Sequence, residues 1–230
     1  MSRSSYLFSG IFGSFALSCF ALVLVPQAQI GGVQPQTDEE TGISYPVDNA
    51  RSGQQVYAAQ GCFYCHTQQI RDSQNGTDID RGWGVRRTVA RDYLFEKTPF
   101  LGSTRIGPDL ANVGSKDWRN EPKDDSQKPA RRNKKWHLHH LYSPRSIVRE
   151  SNMPPFRYLF DKRKISGQRS VDALDLTGED TPPAGYEIVP KPEAKALVAY
   201  LLSLDRSHPL AEAKQTGVEA ASAASAPATK

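Results

Sequence analysis

Cys62-Phe63-Tyr64-Cys65-His66 constrains the chain more than any other stretch. Two thiols three positions apart, followed at once by an imidazole, form the attachment site of a c-type haem. Each sulfur adds across a porphyrin vinyl group, and the adjacent histidine is then held as the proximal iron ligand. Other uses of the pair fit less well. A zinc site wants a second ligand pair of similar spacing, and the only other cysteine, Cys19, lies in an apolar stretch near the N-terminus. A thioredoxin-like redox pair would follow a strand in a βαβ setting, and no such pattern precedes Cys62.

The 230 residues give room for one ordinary domain plus attachments. Apolar residues gather at the N-terminus, around the cysteine motif and in a late helical stretch, while the middle is polar and rich in Pro and Gly; a haem would supply much of the missing core. The formal net charge of +4 is too mild to argue for nucleic acid, and basic and aromatic residues do not interleave as such a surface needs. With two cysteines used on haem, no disulfide framework remains.

From Tyr6 to Val25 runs an uncharged, mostly apolar stretch of about twenty residues, long enough to cross a bilayer as a helix. Arg3 precedes it, whereas Asp38, Glu39 and Glu40 follow. This weak positive-inside bias puts the N-terminus in the cytoplasm and the remainder outside. A cleaved signal peptide would have a shorter apolar region ending in small residues, and Val23-Leu24-Val25-Pro26 is a poor cleavage context, so residues 1–26 read as a retained anchor. Cys19 then reads as a small apolar residue inside a membrane helix. Residues 27–48, with Gly31-Gly32, Pro35 and Pro46, read as a linker to a domain at 49–206.

That domain should open on a helix capped by Asp48 or Asn49 and ending near Gln60, with Gly53 and Tyr57 on one face. Trp83, Tyr93, Phe95 and Phe100 offer apolar anchors in the polar segment that follows the motif. Gly107-Pro108-Asp109-Leu110 then supplies a rigid carbonyl at Pro108, suited to accept the Nδ1–H of His66 and so orient its ring. Arg105 is a candidate partner for a haem propionate. Residues 117–135 are dominated by charge and read as a solvated loop, whose basic end could also steer an acidic partner.

In Trp136-His137-Leu138-His139-His140 the first and last histidines share a helix face, but no nearby carboxylate or thiol completes a metal set. Apart from the initiator, Met153 is the one methionine, set in Ser151-Asn152-Met153-Pro154-Pro155. An electron-transfer haem takes a second axial ligand, and thioether sulfur favours reduced iron, so Met153 is assigned opposite His66. From Pro155 to Pro190 the chain reads as irregular. Glu193 to Leu204 then forms an amphipathic helix whose Leu197, Tyr200, Leu201 and Leu204 stripe is the partner expected for the Gly53 and Tyr57 face. Residues 207–230 read as a disordered tail.

A helix, Cys-x-x-Cys-His, Gly-Pro-Asp-Leu, a methionine loop and a final amphipathic helix resemble a class I cytochrome c. The expected fold is mainly α, with irregular loop insertions, on one transmembrane helix. The words Tyr57-Ala58-Ala59-Gln60-Gly61 through the haem motif to Arg71, Gly102 through Gly114, Trp136 through Arg145, and Glu150-Ser151-Asn152-Met153-Pro154 are similar to the membrane-anchored monohaem subunit of cbb3-type cytochrome c oxidases. The resemblance implies one covalent haem c on Cys62 and Cys65, ligated by His66 and Met153. It implies electron relay to a haem–copper catalytic subunit, from a dihaem cytochrome c subunit or a soluble cytochrome c. It also implies a bacterial inner-membrane location with the haem domain periplasmic, contact with lipid, and no oxygen chemistry in this subunit. Three other readings stay open: the small cytochrome subunit of a nitric oxide reductase, a haem enzyme or gas sensor with an open distal site, and a metal chaperone using the histidine cluster.

Overall fold

In the computed structural model, which describes residues 3–32, 48–115, 132–213 and 215, the described part of the N-terminal unit is helical from Arg3 to Ile30. Helix α1 (Arg3–Cys19) passes through one wide π turn, Phe20–Leu24, into α2 (Val25–Ile30). The widening has a local cause. Pro26 brings no N–H and its ring crowds the carbonyl four residues back, and Val25 N–H bonds instead to the Phe20 carbonyl, five residues back. Phe8, Phe12, Phe15 and Leu22 project outward along this unit, and Arg3–Gln29 is long and apolar enough to cross a membrane. Most of the expected linker, residues 33–47, lies outside the described residues.

The second unit is built on a crossing of two helices distant in sequence. Helix α3 (Asp48–Ala59) packs on the last helix among the described residues, Pro192–Leu202, which Pro192 opens at its first position. Gly53 sets the closeness of the crossing. A Cβ there would lie 2.6 Å from the Tyr200 Cβ and 2.7 Å from the Ala196 carbonyl carbon, so the two backbones touch. One turn on, the fully buried Tyr57 ring packs against Tyr200 at 5.4 Å and Phe100 at 5.6 Å between centroids. The clasp expected from the glycine, the tyrosine and the apolar stripe is therefore present, and Leu197, Leu201 and Leu204 are all buried in it. Gly53→Ala should destabilise the domain by about 1–3 kcal/mol, because overpacking outweighs the ~1 kcal/mol that alanine gains in helix propensity. Thermal unfolding followed through the haem absorbance measures this; a melting temperature equal to or above the parent's would mean that the helices separate without penalty.

Between these helices the chain forms α4 (Lys134–Tyr142), whose first turn is capped by the Asn133 side chain accepting from Trp136 N–H at 3.1 Å, and the short α5 (Pro144–Ile147). The stretch read as irregular contains a hairpin of distant strands. Strand β1 (Phe160–Lys164) pairs antiparallel with β2 (Tyr186–Pro190), Phe160 opposite Pro190 and Lys164 opposite Tyr186. The final helix, Pro192–Leu202, becomes α6. Strand β1 shows no alternation because all but its first residue are exposed, so periodicity had nothing to register. Strand β2 is buried from Glu187 to Pro190, and its Ile188 carbonyl also accepts from Leu174 N–H at 2.9 Å.

Two further expectations are corrected. Phe95 is largely exposed rather than a core anchor. The start of the expected tail packs on the domain: the His208 carbonyl accepts from Arg86 Nε at 2.8 Å, and Ala213 is buried. The remainder of that tail, residue 214 and residues 216–230, and residues 116–131 of the charged segment lie outside the described residues.

Candidate haem-binding site

Helix α3 ends in Gly61, whose φ of 67° falls in the left-handed region that favours glycine. The reversal starts the 3-10 turn Cys62–Tyr64, in which Cys65 and His66 N–H groups both donate to the Cys62 carbonyl, at 3.1 and 3.0 Å. Both thiols are half-buried and unbridged, and burial pushes the Cys62 thiol up to about 11. They follow directly on α3, and Cys62 packs against the apolar core that Phe63 also joins.

The loop carrying Gly-Pro-Asp-Leu runs directly alongside. Gly107 N–H donates to the Cys65 carbonyl at 3.0 Å and Leu110 N–H to the Thr67 carbonyl at 2.8 Å. Between them His66 Nδ1 lies 2.7 Å from the Pro108 carbonyl, the contact foreseen for a proximal histidine. An N–H at Nδ1 donating there leaves Nε2 as the free lone pair. Burial holds the imidazole below its ordinary pKa, against the opposing effects of Pro108 and Asp109, and a neutral ring is the form that binds iron.

Glycine at 107 is required by closeness: a Cβ would sit 2.8 Å from Nδ1 and 2.9 Å from Nε2 of His66. Asp109, which the sequence reading passed over, locks the same region. Its buried carboxylate accepts from Thr67 Oγ1, from Gln69 N–H at 2.8 Å and from Ala111 N–H at 2.8 Å. Arg105 lies behind it, donating to Thr67 Oγ1 at 2.8 Å, to the Gln69 carbonyl and to Asp78, with Asp109 3.6 Å away. Its guanidinium thus braces the backbone that follows His66. Fully buried Gln68 completes the support, exchanging hydrogen bonds with the Tyr200 hydroxyl of α6.

Met153 is half-buried against the same core cluster as Cys62, Phe63 and Trp136. Its segment is tied at both ends. Upstream, Arg145 Nε donates to the Ser151 carbonyl at 3.1 Å, and Met153 N–H to Ser151 Oγ at 3.2 Å. Downstream, Phe156 N–H donates to the Leu141 carbonyl of α4 at 2.8 Å, and the Tyr158 hydroxyl bonds the Gln60 side chain beside the haem motif. The methionine loop therefore spans from α4 to the end of α3.

The three histidines of α4 separate in role. His137 is buried, His139 Nε2 lies 2.9 Å from Ser146 Oγ, and His140 stacks on Trp136 with ring centroids 4.8 Å apart and planes 11° from parallel. His140 Nδ1 is buried with no hydrogen-bond partner among the described residues. Burial, with the neighbouring His66, Arg132 and His139 opposing any charge, brings the His140 pKa down to about 4. Among the described residues no group of three or more His, Cys, Asp or Glu is placed to hold a metal ion.

These residues fit a covalent haem: two accessible thiols, an imidazole fixed through Nδ1 with Nε2 free, a glycine that admits the ring, and a buried imidazole nitrogen left over. A search among curated proteins returns no match. A family model described as "Cytochrome C oxidase, mono-heme subunit/FixO" matches residues 18–178, from within the apolar N-terminal helix through the haem motif and the methionine loop. With that match covering well over half of its length, the chain belongs to the mono-haem subunit family of cbb3-type cytochrome c oxidases, membrane-anchored electron carriers with one haem c.

Proposed function

We propose that the chain carries single electrons through a His66/Met153-ligated haem c to the haem–copper catalytic subunit of its oxidase. The observation that carries this reading is the His66 ring itself, neutral and fixed to the Pro108 carbonyl at 2.7 Å with Nε2 available. When bound, the haem supplies a one-electron carrier whose potential is raised by a thioether ligand. The protein supplies attachment at Cys62 and Cys65 and orientation of the imidazole through Pro108 and Gly107. Ser151, Leu141 and Gln60 hold the segment that presents Met153, a small conformational search for the second ligand.

Arg105 is assigned a bracing role behind His66, with propionate pairing left to the N–H groups its present contacts do not use. The packing of α3 against α6 around the attachment site supports a class I cytochrome arrangement for the domain. A retained anchor, a periplasmic haem domain, and a dihaem cytochrome c subunit or soluble cytochrome c as donor complete the proposal.

The test is purification of the membrane complex in mild detergent, followed by rapid mixing of the reduced complex with oxygen. The haem c absorbance is expected to oxidise within turnover, with the resting reduced haem c inert to carbon monoxide. Carbon monoxide binding at this haem would instead favour an enzyme or sensor with an open distal position. Co-purification without any multi-span haem–copper chain would remove the relay.

A further inference from the structure

His140 is a buried polar group that the reading above does not use. It sits in the last turn of α4, held flat against Trp136, and Trp136 packs on the same core as Met153 and Cys62. The next residue, Leu141, anchors the methionine segment through its carbonyl. His66 is close enough that a charge on one imidazole opposes a charge on the other. Its Nδ1 is buried without a hydrogen-bond partner among the described residues, beside the core that the haem motif and the methionine segment share. Leaving such a nitrogen unsatisfied carries its full desolvation penalty, which a partner delivered by a bound group removes.

A porphyrin brings two kinds of polar group: the iron and the two propionate carboxylates. On the reading above, on which this inference rests, the iron is filled by His66 and Met153. We propose that His140 Nδ1–H donates a hydrogen bond to a haem propionate and so tunes the potential of the carrier. A donor to the carboxylate withdraws part of its negative charge. Removing that donor leaves the carboxylate more negative, which favours oxidised iron and lowers the potential. Trp136 acts as the positioning residue, since its stacking fixes the plane in which the imidazole donates.

The test uses the intact membrane complex with His140→Phe, which keeps an aromatic ring without a donor, and His140→Gln, which restores an N–H. Three readouts are taken: the near-infrared sulfur-to-iron band of oxidised haem c, its midpoint potential, and the propionate-bending band in resonance Raman spectra. His140→Phe should keep the near-infrared band, lower the potential and shift the propionate band, and His140→Gln should move both back toward the parent values. An unchanged potential and propionate band in His140→Phe overturns the proposal, as does loss of the near-infrared band, which would mean that His140 supports the methionine loop rather than a propionate. If His140→Phe does not load haem, His140→Leu is read in its place: a lowered potential with a shifted propionate band supports the assignment, and parental values of both overturn it. A parent complex lacking the near-infrared band would sink the Met153 ligation separately, and the propionate comparison would still judge His140.

Discussion

Replacing Met153 with alanine is expected to lower the midpoint potential of haem c by a large part of the roughly 0.8 V that axial-ligand choice spans. Thioether sulfur is a soft, neutral donor that favours reduced iron, so its loss shifts the balance toward the oxidised state. The same substitution should abolish the near-infrared sulfur-to-iron band and make the reduced haem reactive to carbon monoxide, because apart from the initiator the sequence holds no other methionine to replace it. The surrounding loop should survive. Its ties at Ser151, Leu141 and Gln60 involve backbone or other side chains, and Met153 itself is only half-buried. Redox titration, near-infrared absorption and carbon monoxide difference spectra of one preparation check all three. A Met153→Ala complex with parental potential and band would mean that the second ligand lies elsewhere.

The second large effect concerns stability. Arg86 and Asp92 form a buried pair with neither side chain exposed, 2.8 Å apart at their closest. The guanidinium also donates to the carbonyls of His208 at 2.8 Å and Arg87 at 3.0 Å, and Asp92 accepts from Val89 N–H at 2.8 Å. Asp92→Ala strips the buried cation of its counter-charge, a change that costs about 3–5 kcal/mol at such pairs. For a domain of this size that corresponds to a melting temperature about 10 °C lower. The double variant Arg86→Met with Asp92→Leu should recover most of the loss, since a well-packed apolar pair of similar volume is often neutral. Thermal unfolding of all three complexes decides the matter; a single variant melting within about 2 °C of the parent would show that water reaches the guanidinium.

What the sequence revealed and what it hid follow from the range of the forces involved. The haem motif, the anchor, and helices α3 and α6 carry their signals locally, in Cys62 to His66, in the uncharged run after Arg3, and in Gly53, Tyr57 and the leucine stripe. The Pro108 carbonyl was legible because proline and a downstream position leave few other acceptors for His66. Arg86, Asp92 and Arg206 were not, since charged residues in a polar segment look like surface until their partners are known. Arg206 is buried over Tyr93 and paired with Glu96, contacts that join positions more than a hundred residues apart. The hairpin escaped for a related reason: Asp161 to Lys164 are exposed, and what makes them a strand is antiparallel pairing with Val189 to Tyr186. Asp109 stood in a recognised word, but its acceptors' partners at 67, 69 and 111 became evident only with the loop laid beside the haem motif.

The α3–α6 crossing also sets an order of events during synthesis. Gly53 meets Tyr200 across nearly the whole length of the domain, so the chain cannot close until its last helix has been made. The thiols, by contrast, emerge early, shortly after α3 ends at Ala59. Cys62 and Cys65 are therefore displayed on an open strand of polypeptide for most of the time the ribosome is still working. That interval is when a catalyst of thioether formation has unhindered access to both sulfurs, and α6 then arrives as the bolt that shuts the finished pocket.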